Sequence, residues 1–270
     1  MLTRYENNIK IRGKTMKTII LAGGFGSRIS EESHLRPKPM IEIGGMPILI
    51  HIMRHFSHYG HNEFIILAGY KQEIIKEYFA NYYLHNSDIT FDFTVANRTI
   101  VHENSNEPWK VTIINTGLNT LTGGRVKRIE KYINNEPFFL TYGDAVSDVN
   151  IDNLLAFHQK SGSMVTLTAV QPLGRFGALE IDKCGLITQF SEKKHANSAW
   201  INGGFMVCEP ELLDYINDDV MLELAPFEKI ARDSKMAAYK HGGFWQCMDT
   251  LRDKEYLENL ILKGAAPWIR

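Results

Sequence analysis

An α/β fold, with a mixed, mostly parallel sheet flanked by helices and a smaller β-rich lobe, follows from three features of the chain. Apolar runs of strand length alternate with helical patterns through the first half, the second half is richer in strand-like runs, and a glycine-rich turn follows the first buried run. Thr18 to Leu21, Phe64 to Ala68, Val111 to Ile114 and Phe138 to Thr141 are continuous apolar segments, as strands covered on both faces require. Between them Pro47 to His58, Gln72 to Tyr83 and Gly124 to Ile133 read as helices. Such alternation is Rossmann-like and directs ligands to the carboxyl ends of the strands, where the glycine turn and Asp144 both fall.

After Asn150 a helix over Ile151 to Gln159 leads to strands at Val165 to Val170, Ala178 to Ile181, Leu186 to Phe190, Gly203 to Val207 and Met236 to Lys240. A closing helix, Thr250 to Leu262, ends at Lys263-Gly264, and glycine is the usual residue just past a helix end. No linker, low-complexity stretch or repeat separates the halves. The expected organisation is one domain over 16–270, with a nucleotide-binding half at 16–150 and, at 151–270, a second lobe for the other substrate. Residues 1–15 are polar, mixed in charge and lack an apolar core, so they read as a poorly ordered extension, with Met16 a candidate start.

Composition narrows the function. A net charge of −1 removes the case for nucleic-acid binding, which needs a marked basic excess, so the anion sought is small. No apolar run approaches the roughly 18 residues that would span a membrane. Cys184, Cys208 and Cys247 lie far apart without CxxC spacing, the pattern of reduced thiols in the cytoplasm.

The segment Leu21-Ala22-Gly23-Gly24-Phe25-Gly26-Ser27-Arg28, followed by Arg36-Pro37-Lys38-Pro39, is suited to phosphates. Its glycines let backbone N–H groups converge on one anion, and Arg28 and Lys38 add full charge. It is neither a dinucleotide fingerprint, since Ile29 stands where the third glycine belongs, nor a Walker A loop, since no Gly-Lys-Ser/Thr follows. Tyr142-Gly143-Asp144 and Met248-Asp249-Thr250 each place a carboxylate at the end of an element. Two hard oxygen ligands suit Mg²⁺, which takes one or two carboxylates together with substrate phosphates. Asp144 as a turn residue and Asp249 as a helix N-cap are the plainer alternatives. Ser191-Glu192-Lys193-Lys194 fits a solvated turn, or a site in which Lys193 neutralises a second phosphate and Glu192 accepts from sugar hydroxyls. Gly177 and the run Asn202-Gly203-Gly204 fit hairpin turns, or the close approach of a carbohydrate. His51, His55, His58 and His61 lack a clear third metal ligand and read as a polar helix face, with a subunit contact as one use for it.

LAGGFGSR, RPKPMIEIGGMPIL, TGGR, TYGD, SEKK, INGGF and FWQCMDTLRD, in this order, resemble the sugar-1-phosphate nucleotidyltransferases from Met16 almost to Arg270. The Gly69-Tyr70-Lys71 turn, the run from Lys76 to Tyr82, Glu107-Pro108-Trp109 and Gly243-Phe244-Trp245-Gln246 are similar to its cytidylyl branch. The resemblance implies a nucleotidyltransferase fold and Mg-assisted transfer of a cytidylyl group from CTP to glucose 1-phosphate, in a cytoplasmic homo-oligomer serving nucleotide-sugar and surface-polysaccharide synthesis. It implies that Leu21 to Arg28, Lys38, Thr120, Arg125 and Gly143 contact the nucleotide, and that Arg28, Lys38, Asp144 and Asp249 serve catalysis. Asp144 and Asp249 would hold the metal, while Gly177, Glu192, Lys193, Asn202 and Gly203 face the sugar phosphate. A dTTP or UTP substrate, or a non-catalytic nucleotide-sugar-binding subunit, stays open. The chain departs from the family's pattern at Ala145, Lys194 and Cys247, and Ala145 is expected to crowd the metal loop if that position needs positive φ.

Overall fold

The computed structural model describes residues 15–94, 98–104, 107–172, 178–181, 186–191 and 199–269. Residues 1–14 of the expected extension, and the candidate residues Gly177, Glu192 and Lys193, lie outside the described residues. The four apolar runs of the first half are β1 (Lys17–Ala22), β2 (Glu63–Ala68), β3 (Lys110–Asn115) and β4 (Phe138–Tyr142), parallel to one another in the spatial order β3-β2-β1-β4. Helices α1 (Ile48–His58), α2 (Gln72–Ala80) and α3 (Thr122–Lys127) lie in the connections. β1 alternates between two cores: Ile20 and Ala22 join one apolar cluster, Ile19 and Leu21 the other, so the sheet is buried on both faces.

The second half extends the same sheet. After β5 (Ala145–Ser147) and α4 (Ile151–Ser161) come β6 (Val165–Val170), β7 (Ile201–Asn202), β8 (Met206–Cys208), α5 (Ala225–Arg232), β9 (Met236–His241), β10 (Trp245–Cys247) and α6 (Leu251–Leu262). β8 runs antiparallel between β4 and β6, and β9 lies parallel to β6, which makes the sheet mixed. α4 starts where the Asn150 side chain accepts from Asn153 N–H and stops at Gly162 with φ +62°.

Four elements differ from expectation. The helix expected over 124–133 is two short ones, α3 and Glu130–Ile133, and that expected over 72–83 breaks at Asn81. A hairpin, Ser87–Asp92 with Arg98–Asn104, was not anticipated, although Ile89 and Phe91 alternate there with Asp88, Thr90 and Asp92. The strand expected over 203–207 is interrupted because Gly204 and Phe205 both take positive φ, +73° and +44°. Phe205 is a bulky residue in the left-handed region, and it stays there because it is pinned from all sides. Its N–H donates to Thr141 Oγ1, its carbonyl accepts from Thr168 Oγ1, and its ring stacks on Phe56 with centroids 5.7 Å apart.

The histidines do not form a polar face. His51, His55 and His61 are buried, and among these four only His58 is exposed. His51 accepts at Nδ1 from the Trp268 indole N–H, so its Nε2 carries the proton that goes to Ile43 O at 2.9 Å. His55 Nε2 meets Val149 O at 2.8 Å, and His61 Nδ1 accepts from Met16 N–H. Each ring thus ties a backbone group into the core while presenting apolar edges to aromatic neighbours.

Phe205→Ala is expected to cost about 3–5 kcal/mol in denaturant unfolding, the usual loss for a buried aromatic; a change below about 1 kcal/mol would contradict the packing described. Burial holds the pKa values of His51 and His61 below the ordinary 6.5. Below that pH the unfolded chain takes up protons the folded chain refuses. Stability is therefore complete above about pH 6.5 and falls as pH drops through the lowered folded values; unfolding midpoints constant from pH 7.5 to 5 would contradict this.

Candidate active site

β1 ends at Ala22 and the chain turns through Gly23 to Gly26, where φ of +66° calls for glycine, into a short 3₁₀ turn, Ser27–Ile29. The turn is clamped from behind by Arg125 of α3. Its guanidinium donates to Gly23 O (3.0 Å), Gly117 O (2.7 Å) and Leu118 O (3.1 Å), and also to Thr116 Oγ1. A Cβ on Gly23 would lie 2.2 Å from Arg125 Nη1, and one on Gly69 2.4 Å. Those two glycines exist to admit the arginine, whereas Gly24 faces open space at the cleft. Arg125, expected to contact nucleotide, lines the cleft with its guanidinium committed to the turn that shapes it.

The two carboxylates come together through a small antiparallel ladder between β5 and β10, in which Ala145 faces Cys247 and Gln246 faces Val146. Asp144 precedes one strand and Asp249 follows the other, with Met248 N–H donating to Asp144 O at 2.8 Å. Ala145 is buried in this ladder and is not among the positive-φ residues, so the crowding expected there does not arise. Asp249 is not the cap of α6. Thr250 is: its hydroxyl accepts from Asp253 N–H while Asp253 accepts from Thr250 N–H, a capping box. The Asp249 carboxylate is left to face the cleft.

There Lys38, on a 3₁₀ turn from Lys38 to Met40, places Nζ 2.6 Å from Asp144 Oδ2 and 2.6 Å from Asp249 Oδ1. Arg28 Nη1 reaches Asp249 Oδ2 at 2.8 Å. Burial is the largest single influence on Lys38 and would lower its pKa, but the raising influences, the Asp144 charge first and then the hydrogen bonds to Asp144 and Asp249, together outweigh it, and the ammonium is held charged well above the usual lysine range. Burial opposes ionisation of Asp249 too, yet Lys38 and then Arg28 bring its pKa below the ordinary carboxylate value. The Lys38 side chain is 12% exposed and that of Arg28 75%, so one cation is fixed in the floor and the other hangs at the rim.

The cleft holds about 420 Å³ and opens at the carboxyl ends of β1 and β4, where ligands of α/β sheets usually bind. Leu21 to Arg28, Lys38, Thr120, Arg125, Gly143, Asp144 and Asp249 all line it. Asn202 and Gly203 stand behind the wall, where Asn202 Nδ2 donates to Tyr142 Oη at 3.0 Å and Gly203 packs against Val170. Leu118, Asn119, Leu121, Thr122, Tyr142 and Met221 also line it and were not anticipated. The loop at 117–122 carries no charge pattern that would have marked it, although Gly117 with φ +88° is a turn signal.

Asp144, Cys247 and Asp249 bring one ligand atom each within 4.8 Å of one another, the one such group among the described residues. Burial, and then Asp144, push the Cys247 thiol pKa up, so it stays neutral, and the hard donors are the two carboxylates. That donor set fits a hard divalent cation carrying phosphate oxygens on its open side.

The two kinds of glycine predict different losses. Gly23→Ala should lower thermal stability by about 1–3 kcal/mol through overpacking against Arg125, whereas Gly24→Ala should leave stability within about 0.5 kcal/mol of wild type and weaken anion binding in the cleft. Equal melting temperatures for the two variants would contradict the clamp.

The sequence pattern described as nucleotidyl transferase matches residues 17–246. Glucose-1-phosphate cytidylyltransferase of Salmonella typhimurium is 51% identical over 255 residues, 94% of this chain and 98% of that one. The probable glucose-1-phosphate cytidylyltransferase of Bacillus subtilis is 40% identical, with 94% and 99% covered. Among solved structures, HddC from Yersinia pseudotuberculosis is similar at a TM-score of 0.65 and 23% identity, covering 92% of this chain and 100% of that one. UDP-glucose pyrophosphorylase complexed with UDP-glucose gives 0.64 at 15%, covering 93% and 100%. At those identities the structural likeness is one of fold. With the pattern spanning most of its length and full-length relatives above 30% identity, this chain belongs to the nucleotidyl transferase family.

Proposed function

We propose that the chain transfers the cytidylyl group of CTP to glucose 1-phosphate, giving CDP-glucose and pyrophosphate. The observation that carries the reaction class is the convergence of Arg28, Lys38, Asp144 and Asp249 at the mouth of the glycine turn. The substrate pair rests on the full-length relatives bearing the cytidylyltransferase name.

The attacking phosphate oxygen is already a nucleophile, so no general base is needed. What the site must supply is alignment and neutralisation of charge as the phosphates crowd together. The glycine turn offers backbone N–H groups to the triphosphate. Lys38, held charged in the floor, takes the charge that builds at the α-phosphate, and the exposed Arg28 follows the departing pyrophosphate. Asp144 and Asp249 would hold Mg²⁺, which supplies polarisation and charge neutralisation of phosphate oxygens when bound. Asn202 and Gly203, with Gly177, Glu192 and Lys193, are assigned to the sugar phosphate. The separated thiols support a cytoplasmic setting, and among the described residues no helix is long and apolar enough to cross a membrane. A homo-oligomer is part of the proposal, tested by the mass of the native particle in solution.

Pyrophosphate release with glucose 1-phosphate should be fastest with CTP when CTP, UTP, dTTP and ATP are compared. Asp144→Asn and Lys38→Met should each lower kcat by about 10²–10³, the loss typical of one transition-state charge partner, with unchanged circular dichroism. A preference for another nucleotide would overturn the substrate pair; near-normal turnover in both variants would overturn the site.

A further inference from the structure

Glu223, in the loop before α5, belongs to none of the motifs considered so far, yet it joins two walls of the cleft. Its Oε1 accepts from Tyr142 Oη at 2.7 Å and its Oε2 from Thr122 Oγ1 at 2.6 Å. Tyr142 closes β4 immediately before Gly143-Asp144, and Thr122 opens α3 beside Thr120. Both residues line the cleft. Among the described residues no lysine or arginine forms an ion pair with Glu223, so its charge is met by hydroxyl donors.

The proton directions follow from the partners. Thr122 Oγ1 accepts from Leu222 N–H at 2.8 Å, so its single proton goes to Glu223. Asn202 Oδ1 accepts from Gly204 N–H at 3.0 Å, which fixes Asn202 Nδ2 as the donor to Tyr142 Oη. Tyr142 therefore also gives its proton to Glu223. An amide at position 223 would offer one acceptor where two hydroxyls need one each.

We propose that Glu223 is a positioning residue: one carboxylate oxygen orients Tyr142, and through it Asn202, toward the sugar phosphate, while the other orients Thr122 and the 118–122 wall toward the nucleotide. This rests on the assignment of Asn202 to the sugar phosphate. The arrangement sets the relative placement of the two substrates without touching either.

Steady-state kinetics on the full chain, varying CTP and glucose 1-phosphate separately, tests it, with melting temperature recorded for every variant. Tyr142→Phe should raise KM for glucose 1-phosphate by several-fold to about tenfold, the worth of one oriented hydrogen bond, and leave KM for CTP within about twofold. Thr122→Val should do the reverse, and Thr122→Ser should restore it. Glu223→Gln should raise both. If Asn202→Ala leaves the glucose 1-phosphate KM unchanged, the sugar assignment fails and the positioning role fails with it. If Asn202→Ala raises that KM while Tyr142→Phe does not, the positioning role alone is overturned. Equal effects of Tyr142→Phe and Thr122→Val on both substrates would reduce Glu223 to a stability role; should Glu223→Gln fail to fold, the split between those two variants still decides.

Discussion

An ammonium group wedged between two carboxylates organises this molecule's cleft. Burying Lys38, Asp144 or Asp249 separately would carry a penalty of several kcal/mol, and the set is tolerable because Lys38 donates to both carboxylates. The three belong to different parts of the chain, so the cluster exists only once the sheet, the β5–β10 ladder and the start of α6 are in place. In return the cluster fixes where charge can be neutralised: at the open end of β1, in the cleft that the glycine turn also lines.

The scaffold serves that cluster by division of labour. Thr250 and Asp253 take over the capping of α6, which releases the neighbouring Asp249 carboxylate for the cleft. Arg125 turns its guanidinium onto carbonyl oxygens of the glycine turn and of 117–118, leaving Arg28 and Lys38 as the cations that face the cleft. Glu223 links the two walls. Behind them Phe205 holds a left-handed backbone that allows β7 and β8 to pair with β6 on either side of a break, which sets Asn202 against Tyr142.

Local signals made much of this legible in the sequence. The parallel strands announced themselves as continuous apolar runs, and the glycine turn with Arg28 and Lys38 could be recognised because both the conformational need and the charge lie within one short segment. Asp144 and Asp249 were legible as candidates, but their meeting was not: it depends on the register of a three-residue ladder, Ala145 to Ser147 against Trp245 to Cys247, too short to leave a periodic trace. The capping box was readable at Thr250 and Asp253, and the alternative that made Asp249 the cap was one residue out. The buried histidines misled because polarity was taken for exposure, whereas an imidazole hydrogen-bonded to a backbone carbonyl packs its ring against aromatic neighbours. Glu223 left no signal, since a carboxylate bound by hydroxyls has no companion charge in its own neighbourhood.

Mn²⁺ binding, with Mn²⁺ standing in for Mg²⁺, followed by electron paramagnetic resonance in the presence of CTP, tests the charge-gathering cleft most directly. Wild type and Asp249→Asn are compared without glucose 1-phosphate, so that no turnover occurs. Loss of Asp249 should weaken Mn²⁺ binding about tenfold or more, because removing even an outer-shell partner of a metal costs 10–100-fold. Identical Mn²⁺ affinities in the two proteins would mean that the carboxylates around Lys38 do not hold the metal, and the charge-gathering cleft would lose its basis.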